Sequence, residues 1–118
     1  MSDSILRTKS KEFAKSIVLL CRKLKENSVE FALVNQLLRS GTSVGANIHE
    51  AQYAQGIKDF ISKLEIALKE CNESDYWLEL LFDVGSISEQ EYKSYQNDCI
   101  ELRRMLVSSV TKLKQKLK

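Results

Sequence analysis

Apolar residues recur every three or four positions along nearly the whole chain, which is the spacing of amphipathic helices. Four such runs predict helices over about residues 4–25, 29–54, 57–83 and 88–117. The chain has 118 residues with no proline and only four glycines, so it holds too little turn chemistry for a fold of many short strands. Long helices with short connections predict a single all-α domain over residues 1–118, an antiparallel up-down-up-down four-helix bundle.

The polar segments between the runs contain helix start and stop signals. Asn27 followed by Glu30 predicts a capping box at the start of the second helix, and Ser88 followed by Glu91 predicts another at the start of the fourth. Gly85 follows the third run, where glycine tolerates the left-handed conformation that often ends a helix. These signals support three short connections.

Gly41 and Gly45 lie inside the second run, four residues apart and therefore on one face of a helix. Glycine inside a helix costs about 1 kcal/mol relative to alanine, so a break near Gly41 that divides the run into two shorter helices is the alternative. The apolar stripe keeps its phase through both positions, which favours one continuous helix. That face would then allow a neighbouring backbone to approach closely.

A line of short polar side chains follows another face of the second helix. Two interpretations are open: an ordinary solvated face, or a polar seam that is hydrogen-bonded between helices or between subunits. A solvated face normally carries more Lys and Glu, which favours the second interpretation slightly. In either case we expect a structural role for the seam, which consists of Gln36, Ser40, Ser43, Asn47 and Glu50.

The third run carries more apolar residues than one bundle core can cover. Its main stripe includes Phe60, Leu64 and Leu68, and further apolar residues lie outside that stripe. Exposed apolar patches of more than a few hundred Å² are rare on soluble monomers. We therefore expect self-association, with an interface that includes Ile57, Ile61, Trp77 and Leu81.

The residues that usually carry catalysis in helical bundles are missing from the sequence. A di-metal centre needs two Glu-x-x-His pairs, and the chain has a single histidine, His49, without an evident partner. Cys21, Cys71 and Cys99 lie on the apolar stripes at wide spacings, so we expect small buried side chains and neither a disulfide nor a zinc site. We expect no enzyme activity, cofactor, metal or small-molecule substrate.

The N-terminal residues and the hydropathy pattern bear on localisation. Residues 1–4 are polar, and no run approaches the roughly 20 apolar residues that span a bilayer. Together with the unpaired cysteines, these features predict a cytoplasmic protein with reduced thiols and no membrane association.

Charge is distributed unevenly along the chain. Residues 1–28 carry a net charge of +4 and residues 84–118 carry +3, whereas residues 57–83 carry −4. The first and last helices can be neighbours in an antiparallel bundle, and their combined basic flank could bind the phosphates of a nucleic acid. The predicted nucleic-acid-facing residues are Lys11, Lys15, Arg22, Arg103 and Arg104.

Three segments together resemble a known family. They are QLLRSGTSVGANIHEA over residues 36–51, KDF at 58–60 with LEIALKE at 64–70, and ESDYWL at 73–78. This pattern is similar to that of the small four-helix-bundle proteins associated with intervening sequences in bacterial 23S ribosomal RNA genes. Ala51 stands where many members have glycine.

The resemblance implies a cytoplasmic bacterial homopentamer of four-helix bundles without enzyme activity. A related protein, the accessory protein of diversity-generating retroelements, is a basic pentamer that binds nucleic acid and a reverse transcriptase. Our first hypothesis is therefore a non-catalytic RNA-binding or RNA-associated oligomer. The alternative is a protein scaffold or adaptor with no affinity for nucleic acid.

Overall fold

The computed structural model describes the backbone of residues 2–118 and the side chains of residues 5–118. Met1 and the side chains of residues 2–4, to which the predicted polar N-terminus belongs, lie outside the described residues. The described chain forms four α-helices and no strand: α1 (Ser2–Glu26), α2 (Phe31–Ala51), α3 (Ile57–Asp83) and α4 (Glu89–Lys116). The predicted bounds of α1, α3 and α4 agree within two residues. The predicted α2 was too long, since it begins two residues later and ends three residues earlier.

The helices form an elongated bundle of about 49 × 22 × 20 Å. Each helix packs along the next one in the chain, and α1 also contacts α4, which closes the ring of four. Because the connections are short, consecutive helices run antiparallel. The contact between α1 and α4 is the least extensive of the four helix pairs, so the bundle is closed most loosely along that side.

All four helices contribute to one apolar core. Ile17 and Leu24 of α1, Leu37 of α2, Leu78 of α3 and Leu106 of α4 are among its fully buried side chains. The continuous α2 is confirmed, because the helix runs through Gly41 and Gly45 without a break. Both glycines face α1, where a Cβ at Gly41 would meet Ile17 and one at Gly45 would meet the Ser10 backbone. The expected close approach of a neighbouring helix is therefore confirmed.

The capping box at the start of α4 is confirmed. Ser88 Oγ accepts a hydrogen bond of 3.1 Å from the Glu91 backbone N–H, and Glu91 Oε1 accepts one of 3.1 Å from the Ser88 N–H. Gly85 has φ of 81°, as its predicted role at the end of α3 requires. The Ser86 N–H donates to Leu81 O at 2.8 Å, which completes a Schellman-type C-cap.

The predicted capping box at Asn27 is wrong. The N-cap of α2 is Glu30, and no side chain caps the first turn. Ser28 has φ of 59°, and the Val29 N–H donates to Leu24 O at 3.0 Å. This is the hydrogen bond of a Schellman motif, so residues 27–29 terminate α1 and do not initiate α2.

The buried face of α3 differs from the predicted stripe. Ile61 and Leu81 were predicted to lie in a subunit interface, yet they are buried in the core of the chain itself, at 5% and 1% exposure. Phe60 and Leu68, which were assigned to the core stripe, are only partly buried at its edge. The reason is that α3 packs against both α2 and α4, so its buried arc is wider than one stripe. The interface prediction is wrong for Ile61 and Leu81.

Candidate functional site

Part of the polar seam of α2 is hydrogen-bonded between helices, and part of it is solvated. Ser40 is fully buried, and its Oγ accepts a hydrogen bond of 3.0 Å from Ser74 of α3. Asn47 is half-buried and donates from Nδ2 to Ser43 O of its own helix at 2.9 Å. Gln36 and Glu50 are exposed. Ser40 is therefore bonded between helices, whereas the ends of the seam lie at the surface.

An ion-pair network beside the seam joins α2 to α3. Arg39 donates from Nη1 to Glu70 at 3.0 Å and also pairs with Glu73. Trp77 donates from Nε1 to Glu73 at 3.0 Å. These hydrogen bonds, from Trp77 first and Arg39 second, lower the pKa of Glu73 below its ordinary value. Trp77 was predicted to lie in a subunit interface, and its bond to Glu73 was not predicted, because the network depends on the register of α2 against α3.

The basic residues of α1 fall into two groups. Lys9 and Lys23 face α4 and pair with Glu101 at 3.1 Å and with Glu91 at 2.9 Å. The other group is exposed and forms no ion pair with any carboxylate side chain that the structure describes. We call this second group the α1 surface: Arg7, Lys11, Lys15, Arg22 and Lys25.

Three of the five predicted nucleic-acid-facing residues, Lys11, Lys15 and Arg22, therefore share the outer side of α1. Arg103 does not join them, because it donates to Asn72 at 2.8 Å and to Asp75 at 3.1 Å on α3. Its charge is compensated within the bundle, so Arg103 lies apart from the α1 surface, and its role at a nucleic acid stays a prediction.

Arg104 lies in a different environment. It lines a groove of about 810 Å³ between α4 and the region where α2 ends and α3 begins, together with Lys112 and Lys116 and apolar side chains that include Phe60 of α3. The structure therefore divides the predicted basic flank into the α1 surface and this α4 groove.

A second groove lies between α1 and α2, and we call it the α1–α2 groove. Its volume is about 560 Å³. Arg7 and Lys11 line it from α1 and His49 lines it from α2, with no carboxylate among its described lining residues. No partner for His49 is evident in the sequence, because Arg7 and Lys11 lie about forty residues before it in the chain.

Cys21, Cys71 and Cys99 are buried and unpaired, as expected from their positions on the apolar stripes. Burial raises the pKa of Cys21 to about 11. Within residues 2–118, no group of His, Cys, Asp and Glu side chains has an arrangement that suits a metal ion. None of the described helices combines the length and apolar character that crossing a bilayer requires.

The fold and these surfaces define a class: a small, all-α four-helix-bundle protein with a basic surface along α1. The chain belongs to the 23S rRNA-intervening sequence protein family, whose family model matches residues 2–108.

A solved structure of a relative supports this assignment. The chain is similar to a protein of unknown function from the S23 ribosomal protein family of Bacteroides thetaiotaomicron VPI-5482. The two share 49% sequence identity over 94% of this chain and 99% of that one, with a TM-score of 0.92. No curated protein matches the chain significantly.

Proposed function

We propose that this chain is a non-catalytic RNA-binding protein that acts in the cytoplasm as a homo-oligomer. The observation that carries the proposal is the α1 surface, whose five cations extend from Arg7 to Lys25. At a rise of 1.5 Å per residue, this row is roughly 27 Å long. The family name, which refers to ribosomal RNA genes, agrees with an RNA ligand.

The pairing pattern within α1 supports a binding role for this surface. Lysines of α1 that face α4 have carboxylate partners, whereas those on the outer side have none among the described side chains. Like charges one turn apart on a helix cost roughly 0.2–0.5 kcal/mol per pair. A polyanion that releases its counterions on binding would offset that cost, because each neutralised phosphate contributes to affinity.

Binding to a structured RNA at two salt concentrations tests the proposal. The slope of log K against log salt is roughly −0.7 to −0.9 per phosphate neutralised. The variant Lys11→Gln/Lys15→Gln/Arg22→Gln should bind more weakly and with a flatter slope. The matched control Lys9→Gln/Lys23→Gln/Lys93→Gln removes the same charge from ion-paired lysines and should retain more of the affinity.

The scaffold or adaptor hypothesis predicts a different result in the same experiment. A protein that binds only other proteins would show no saturable RNA binding at either salt concentration. Equal weakening in the variant and in its control would instead assign the affinity to net charge and would remove the α1 surface from the proposal.

Self-association is the second part of the proposal. Ile57, Ile66 and Tyr76 of α3 remain 43%, 38% and 56% exposed, and Trp77 is half-buried. Burial of such side chains against another copy would stabilise an oligomer by roughly 1.5–3 kcal/mol for each one fully buried. An oligomer would also present the α1 surface several times to one RNA, which raises the apparent affinity. The family resemblance makes a pentamer the expected form.

Light scattering after size-exclusion chromatography tests this part directly. We expect a mass several times 13.5 kDa, near five-fold for a pentamer. Ile57→Asp/Ile66→Asp should yield smaller species that remain helical, because both side chains are exposed within one chain. Val107→Asp, at an equally exposed site on α4, is the control. A wild-type monomer at micromolar concentration would contradict the oligomer.

A further inference from the structure

The α1–α2 groove concentrates positive charge where the fold does not require it. Arg7 and Lys11 lie one turn apart on α1, and His49 faces the same space from α2. The rest of the described lining is small or hydroxylated: Thr8, Ser10, Ala14, Thr42, Gly45 and Ala46. We infer that this groove binds a phosphate group. Within the proposed function, on which the source of the phosphate rests, it holds one phosphate of an RNA strand.

The small residues keep the groove open. A Cβ at Gly45 would lie 3.3 Å from the Ser10 carbonyl oxygen, so a larger residue there would press on α1 and narrow the space. Ala14 and Ala46 add only methyl groups to the lining. A volume of about 560 Å³ accommodates a phosphate together with the sugar to which it is attached.

The basic side chains are the donors that we assign to the phosphate, because the Ser10 and Thr42 hydroxyls form hydrogen bonds within their own helices. The Ser10 hydroxyl donates to Arg7 O at 3.1 Å, and the Thr42 hydroxyl donates to Leu38 O at 2.7 Å. Their hydrogens are therefore used within the helices. Arg7 supplies a planar fork that can bind two phosphate oxygens at once, Lys11 supplies an ammonium group, and His49 supplies a ring N–H from the opposite helix.

The position of the groove connects it to the rest of the α1 surface. Arg7 and Lys11 belong to both, so a strand whose phosphate enters the groove can continue along α1 past Lys15 and Arg22. The groove would then fix the register of the strand, whereas the outer cations would attract it without fixing it. This arrangement separates a defined phosphate site from a general electrostatic surface.

Titration with inorganic phosphate, followed by the amide chemical shifts of the ¹⁵N-labelled protein, tests the groove without RNA. Sodium chloride at the same ionic strength serves as the reference. We expect saturable shifts that cluster at residues 7–11 and 42–49. Arg7→Gln/Lys11→Gln should weaken phosphate binding at least about tenfold, and His49→Gln should weaken it less. Lys15→Gln/Arg22→Gln, which removes the same charge outside the groove, should change it less than about twofold.

A second arm identifies the source of the phosphate. Single-stranded RNA with and without a 5′-phosphate is compared on the wild type and on the two double variants. If the wild type prefers the 5′-phosphorylated RNA and only Arg7→Gln/Lys11→Gln loses this preference, the groove binds a terminal phosphate. Equal binding of both RNAs, weakened more by Arg7→Gln/Lys11→Gln than by the control, assigns a backbone phosphate.

The outcomes for the groove and for the proposed function are distinct. Phosphate shifts in the groove without any RNA binding would support the site and contradict the RNA-binding proposal. RNA binding that both double variants weaken equally, with phosphate shifts spread over the surface lysines, would overturn the groove and leave the RNA-binding proposal standing. Wild-type shifts decide the question even if a variant does not fold.

Discussion

Gly41 of α2 lies so close to Ile17 of α1 that a Cβ at position 41 would be 2.8 Å from the Ile17 Cγ2 atom. Carbon atoms in van der Waals contact are normally about 3.5–4.0 Å apart. The missing side chain therefore sets how closely the two helices approach. The absence of a side chain at Gly41 allows α1 to pack directly against α2, in the position that forms the α1–α2 groove.

Gly41→Ala should destabilise the protein despite the better helix propensity of alanine. The propensity gain is about 1 kcal/mol, whereas overpacking a tight contact costs about 1–3 kcal/mol. In an Ile17→Ala background the same substitution should be neutral or stabilising, because the clash is removed. Denaturant unfolding of the four proteins in this double-mutant cycle measures the coupling. Gly56→Ala, where a Cβ meets nothing within 4 Å, is the control. Additive effects at positions 17 and 41 would contradict the close contact.

Arg103→Gln should lower stability by about 1 kcal/mol without changing the RNA affinity of the folded protein. The substitution removes the ion pair with Asp75, whose Oδ1 atom is already buried without a hydrogen-bond partner, and the partial exposure of both side chains limits the loss. Arg104→Gln is the matched control, because Arg104 lines an open groove and should affect stability little. Chemical unfolding and RNA titration of both variants check the prediction. Equal stability of the two variants would refute the structural role of Arg103.

Glu73→Gln should destabilise the protein at neutral pH and much less in acid. Hydrogen bonds from Trp77 and Arg39 lower the pKa of Glu73 from its ordinary 4.5. The stability that the charged form contributes is thus present above pH 4.5 and is lost as pH falls through the lowered pKa. The difference in Tm between wild type and variant should shrink below pH 4.5.

The acid titration of Glu73 has a built-in comparison. The pKa of Glu91 is also lowered, first by the Ser88 N–H and then by Lys23. Its contribution to stability is lost in acid equally in the wild type and in Glu73→Gln, so it does not affect the difference in Tm between them. Glu79→Gln, an exposed change on α3 outside the network, is the control at pH 7 and should lower Tm less than Glu73→Gln does. A Tm gap for Glu73→Gln that stays constant from pH 7 to pH 3 would exclude the proposed linkage.

The rate at which the native protein reacts with a thiol reagent should be limited by the rate of local or global unfolding, which exposes the cysteines. All three cysteines are buried, and burial raises the pKa of Cys21 to about 11, so that about 0.1% of this thiol would be ionised at pH 8. Ellman's reagent should therefore label the folded protein slowly and the denatured protein at three thiols per chain. Rapid labelling of one thiol in the folded state would indicate a reactive cysteine and contradict the packing role.

The helices and two of their ends were predictable because local signals decide them. Ser88 with Glu91 and Gly85 act within a few residues of the backbone groups that they satisfy. Asn27 and Glu30 show the limit of such signals. They have the spacing of a capping box, but Asn27 belongs to the C-terminal end of α1, where Ser28 adopts the left-handed conformation. A sequence pattern does not show which of two adjacent helix ends uses a polar residue.

The candidate sites were predictable only in part, because they depend on which helices meet. Ile61 and Leu81 appeared surplus to one stripe, but α3 contacts two neighbours and buries both residues. Arg103 was predicted to be free to contact a nucleic acid, but the register of α4 against α3 places Asp75 beside it. Lys11, Lys15 and Arg22 lie on one exposed side of α1, because residues four and seven apart share a helix face. Their predicted role at a nucleic acid stays a prediction.

The loosely closed side of the bundle between α1 and α4 affects how the molecule moves. Local opening has the lowest free energy where the fewest buried contacts are lost, so amide hydrogens at this boundary should exchange with solvent before those between α2 and α3. The helix that carries the α1 surface therefore has an extensive contact with α2 and a much smaller one with α4.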